Sequence, residues 1–181
     1  MQSIRRLVLA LALCLSALNL SAELMWPLPV EELTQRAELI LHGMVANKTC
    51  QRSPEGRIYT RVDLLVSEVW KGSLTTNTIT IVHSGGTVGN LRTSVSGQVS
   101  YEVGEEVVAF LVLNSRGEGV TLGLAQGKFH VWKDKATGEK FAHSLFHGAT
   151  EQSASADDKD AKKSERLALK NLGTRAKGGA R

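Results

Sequence analysis

Seven consecutive apolar residues, Val107-Val108-Ala109-Phe110-Leu111-Val112-Leu113, constrain the fold of this chain more than any other stretch. A run of that length, rich in β-branched side chains, reads as a strand buried on both faces. The residues before it make its turn. Gly104 permits the reversal, and Glu105 and Glu106 keep the tip in water. The remaining strands must pack around 107–113.

Strands are legible on either side. Residues 39–46, Leu-Ile-Leu-His-Gly-Met-Val-Ala, are apolar nearly throughout, and Gly43 marks a bulge or bend. Residues 52–57 read as a turn, because Pro54 and Gly56 flank Glu55. The next stretch alternates: Ile58, Thr60, Val62, Leu64 and Val66 on one face, Tyr59, Arg61, Asp63 and Ser67 on the other. These two segments predict a long antiparallel hairpin. A third strand covers 78–83 and breaks at Gly85-Gly86. Further strands are expected at 120–124, 128–133 and 140–146, with a hairpin tip at 134–139. Residues 87–100 read as the longest loop of the body, rich in Gly, Ser and Thr. Before the first strand, Pro29 suits the first turn of a helix, and Val30, Leu33 and Ala37 recur at helical spacing over 30–38.

The two ends differ in kind. Arg5-Arg6, an apolar stretch over 7–20 and the small residues Ser21-Ala22 form the pattern of a secretory signal peptide, cleaved before Glu23. The alternatives are a membrane anchor, for which the stretch is short of the ~20 residues that span a bilayer, and a lipoprotein site at Cys14, where Leu13 is too bulky. After cleavage Cys50 stands alone, so the domain must hold together by packing without a disulfide. It is read as a lone thiol at a strand end, against a reactive or intermolecular one. Residues 149–181 contain no aromatic side chain and carry eight basic and five acidic groups. Their composition predicts a disordered tail, with at most a transient helix around 162–172. The body, 23–148, is close to neutral, a poor footprint for nucleic acid.

The expected fold is therefore all-β: a small, partly closed, OB-like antiparallel β-barrel with one short N-terminal helix, flanked by a signal peptide (1–22) and a tail. Particular segments support it. Leu-Thr-Gln-Arg-Ala-Glu-Leu-Ile-Leu-His-Gly-Met-Val (33–45), Ser-Glu-Val-Trp-Lys-Gly (67–72), the Gly85-Gly86 loop and Val-Gly-Glu-Glu-Val-Val-Ala-Phe-Leu (103–111) resemble a group of uncharacterised exported bacterial β-barrel proteins. More distantly they are similar to netrin-like and tissue-inhibitor-of-metalloproteinase-like domains. The resemblance implies an OB-type barrel. It does not carry over the inhibitors' mechanism, which needs an N-terminal cysteine where this chain would begin Glu23-Leu24.

Chemistry is harder to find. The histidines are His42, His83, His130, His143 and His147. His143 and His147 have the spacing that places two imidazoles on one helical face, but 141–146 reads as a strand, where residues four apart lie about 13 Å from each other. No His-Glu-x-x-His pattern and no cysteine pair accompanies them, so no metal and no cofactor are expected. No Gly-x-Ser-x-Gly elbow exists, and the pairs Glu31/Glu32 and Glu105/Glu106 do not straddle a cleft. Gly85 to Asn90 is glycine-rich but leads into no helix N-terminus. Arg57, Tyr59 and Arg61 offer little for nucleic acid. What remains is a non-enzymatic exported domain that binds a protein or peptide of the envelope or exterior, through Asn90, Leu91 and Arg92 on the loop. The alternative is a histidine-dependent metal-binding or hydrolytic accessory protein.

Overall fold

A computed structural model describes residues 26–148 and 166–178; the signal-peptide segment and the whole of 149–165 lie outside them. The order is α1 (Val30–Arg36), β1 (Leu39–Arg52), β2 (Ile58–Lys71), β3 (Thr78–Ser84), β4 (Gly86–Val88), β5 (Leu91–Thr93), β6 (Glu106–Leu113), β7 (Gly119–Thr121), β8 (Lys128–Lys133), β9 (Lys140–His143), β10 (Leu167–Ala168) and α2 (Leu169–Gly178). The protein is all-β with a partly closed barrel. The main sheet runs β1-β2-β3-β7-β6-β8-β9-β10, and β1 also pairs with β6, which closes a ring of five strands. Among the described residues every pairing is antiparallel except one, the parallel contact Ile81↔Gly119 between β3 and β7.

The hairpin read from the alternation is present. β1 and β2 pair from Ile40↔Lys71 to Arg52↔Ile58, with irregularities that include His42/Gly43. Gly43 is required there. A Cβ on it would lie 2.3 Å from the Leu65 carbonyl oxygen, so only glycine lets the strands approach at the bend.

β6 explains its own composition. Val107, Ala109 and Leu111 point into the barrel, against Leu41, Val62, Leu64, Ile81 and Tyr101. Val108 and Phe110 point the other way, into a second core made with Ile40, Phe129, Val131 and the two helices. No residue from Val107 to Leu111 touches solvent. An alternating strand could not serve two cores at once.

Three expectations are corrected. The tail is not structureless throughout: Leu167 and Ala168 pair with Ala142 and Phe141 on β9, and α2 buries Leu172 and Ala176 completely. Among the described residues there are thus two helices, not one. The physical reason lies outside the tail. α1, through Val30 and Leu33, and the outer face of the sheet, through Trp70, leave apolar surface in need of a cover, and Gly173 sits against the Trp70 indole, where a Cβ would be 3.4 Å away. A segment with few apolar residues can order when the body supplies the rest of the buried surface. Ion pairs from Arg175 to Glu31, Lys177 to Glu68 and Arg166 to Asp134 frame the contact, each worth ~0–1 kcal/mol where exposed. Next, 87–100 is not a plain loop; it contains the two-stranded ribbon β4–β5. Lastly, the strands expected to reach 124 and 146 stop at Thr121 and His143.

Candidate functional site

The ribbon carries the three residues singled out from sequence. It pairs Gly86↔Thr93, Thr87↔Arg92 and Val88↔Leu91, and Gly89-Asn90 forms its two-residue tip. Gly89 has φ +57°, the positive first position of a type II′ hairpin turn. Asn90 therefore sits at the apex, and Leu91 and Arg92 follow on β5. All three are exposed; Leu91 is 51% accessible and nearby Val95 42%. Leu91 is a bulky aliphatic side chain held in water on the ribbon, and Val95 follows two residues beyond its end.

The ribbon joins the barrel through Gly85 and Gly86. Gly86 has φ +137°, and a Cβ there would lie 2.7 Å from both Cys50 Sγ and Thr60 Oγ1. Glycine is needed on both counts. Thr60 donates to the Gly85 carbonyl at 2.7 Å and shares a 3.4 Å contact with the Cys50 thiol. The Thr60 hydrogen bond, aided by the Thr87 backbone and by Lys48, holds the thiol below its usual pKa. Cys50 is a free, half-buried thiol at the root of the ribbon.

Between ribbon and barrel lies a cavity of about 370 Å³, lined by Lys48, Cys50, Thr60, His83, Arg92 and Ser94 among others. His83 donates from Nδ1 to the Ser84 carbonyl, while its buried Nε2 has no partner among the described residues. Burial pushes its pKa below 6.5. The sign follows. Below 6.5 the unfolded chain takes up a proton that the folded chain resists, so stability falls as pH drops through 6.5 towards the folded-state value. His83→Gln is expected to flatten the decline in melting temperature between about pH 7.5 and 5.5. An unchanged slope would remove His83 from the account.

The other histidines scatter. His42 Nε2 meets Glu106 Oε1 at 2.7 Å, and Lys140 caps both oxygens of that carboxylate. Burial opposes ionisation of Glu106, but these two partners outweigh it and hold the carboxyl low. His147 donates from Nε2 to the Leu28 carbonyl and stacks on Phe129, so it shares nothing with His143 despite the spacing. His143 instead lies opposite His130. That pair joins Glu105 and Lys128 in a cleft of about 490 Å³. Burial, and then His130 beside it, lower the His143 pKa.

Sequence reasoning missed this second cluster. The hairpin tip at 134–139 was in hand, and extending the pairing outward from it would have set His130 against His143. Among the described residues, no three or more His, Cys, Asp or Glu side chains converge to hold a metal ion. Arg61 is engaged by Glu118 at 2.5 Å, and Tyr59 donates to Gln51, so neither is held out for a polyanion. No helix among the described residues is long and apolar enough to cross a membrane. Neither known family models nor curated proteins give a match to this sequence.

Proposed function

We propose that this chain is an exported, non-enzymatic binding domain that recognises a protein or peptide partner through the β4–β5 ribbon. The observation that carries the reading is the exposure of Leu91, beside Asn90 and Arg92, on a ribbon hinged at two glycines above a rigid barrel. An apolar side chain flanked by an amide and a guanidinium is the composition of an interface anchor: area from one, hydrogen bonds and charge from the others. Loops held on a stiff scaffold are where such domains place recognition. A partly closed β-barrel offers its loops and one sheet face for binding, as OB-type barrels do. Export rests on the charged and apolar N-terminal pattern at 1–22.

The test replaces Asn90-Leu91-Arg92 by Gly-Ser-Gly in the full chain. Partners captured from the native envelope and medium by the parent protein are expected to be lost or weakened at least ~10-fold, about 1.4 kcal/mol. Melting temperature should stay the same, since none of the three is buried. Unchanged capture would exclude the ribbon as the recognition surface.

A further inference from the structure

We propose that His130 and His143 form a two-imidazole site for a borderline divalent cation, Zn²⁺ first, with its remaining positions open to water or an incoming ligand. This goes beyond the recognition role of the ribbon and uses a different part of the molecule.

Register supplies the geometry. The two residues are directly opposed across the β8–β9 hairpin. Their rings meet edge to face, with centroids 5.2 Å apart and planes at 63°. Two imidazoles on one tetrahedral zinc, each at about 2.0–2.1 Å, hold their ring centroids about 5 Å apart. The backbone therefore already sets the spacing that a shared ion needs.

The surroundings prepare both rings. Glu105 Oε1 accepts a 2.8 Å hydrogen bond from His130 Nδ1. That bond fixes the proton on Nδ1 and leaves the Nε2 lone pair for a cation; a carboxylate behind an imidazole is the usual support of a ligating histidine. His143 Nδ1 is buried with no hydrogen-bond partner among the described residues. Such an atom is costly until something satisfies it. The cation nearest the pair, Lys128, is tied at 2.6 Å to Glu105 and at 2.5 Å to the Ser100 carbonyl. Its charge is thus offset by the same carboxylate that orients His130. The cleft also contains Ser144 and Leu145 at its rim, with volume for solvent ligands. Imidazole donors without thiolates favour Zn²⁺, Cu²⁺ and Ni²⁺ over Mg²⁺ or Ca²⁺.

The experiment is calorimetric titration of the full chain with zinc chloride near neutral pH. One ion per chain is expected, with a dissociation constant of about 10 µM or tighter. His130→Ala and His143→Ala should each weaken it at least ~10-fold, and His83→Ala should leave it unchanged. Should either alanine variant fail to fold, the unmutated protein decides. Imidazole ¹⁵N resonances of His130 and His143 should both shift on saturation with zinc, and those of His42, His83 and His147 should not. No binding at millimolar zinc, binding that survives loss of either residue, or shifts confined to other histidines would each overturn the site.

Discussion

Leu172→Ala is expected to destabilise the protein by about 2–5 kcal/mol, the range for removing a buried leucine side chain. Leu172 is fully buried in the core that α2 shares with α1 and the outer face of the sheet. Urea unfolding followed by circular dichroism measures the change. Lys170→Ala is the control. Among the described residues that ammonium makes a 3.4 Å surface pair with Glu139, and its loss should cost less than ~1 kcal/mol. Deleting 166–181 removes Ala168, Leu172 and Ala176 together, uncovering Val30, Leu33 and the Trp70 indole. The truncated chain should therefore bind a hydrophobic dye that the full chain does not. A Leu172→Ala variant within ~1 kcal/mol of the parent would show that α2 is not seated as described.

Phe110→Ala is the second large effect, about 3–5 kcal/mol. Phe110 is fully buried, packs its ring 5.4 Å from Phe129, and sits where the backbone is held on both sides. Its N–H donates to the Gly127 carbonyl, and its carbonyl accepts from the Leu122 N–H. With the backbone pinned, the neighbours cannot collapse into the space left by the ring. Equilibrium unfolding again gives the measurement, and the neighbouring Val112→Ala, on a half-exposed position, should cost clearly less. Equal losses at both positions would contradict the burial described for β6.

The barrel was legible because its signals are local. The apolar run at 107–113 and the alternation from Ile58 to Val66 are read within a few residues, and each is a strand in the structure; the Pro-Gly segment before Ile58 is the turn it resembles. Gly43 marked its bulge for the same reason: close backbone approach leaves a glycine in the sequence. The tail was misread because its cause is remote. Nothing in Leu169–Gly178 announces that Trp70 and Leu33, far away in sequence, leave a surface shaped for Leu172, Gly173 and Ala176. Composition averaged over 149–181 dilutes three well-placed small and apolar residues among charges. The ribbon escaped notice for the opposite reason. Strands of three residues give no period, and Gly89-Asn90 competes with Ser96-Gly97 as a turn signal inside that stretch. As for the candidate sites, Asn90, Leu91 and Arg92 fell on one ribbon. The pairing of His130 with His143 depended on strand register, which a single sequence states only when a hairpin is followed outward from its tip.

β6 walls two compartments at once, with side chains committed alternately to each. Such a strand has no face on which substitution is silent: a smaller side chain at Val107, Ala109 or Leu111 opens one compartment, and at Val108 or Phe110 the other. The exposed tip of the glycine-hung ribbon carries no such double cost.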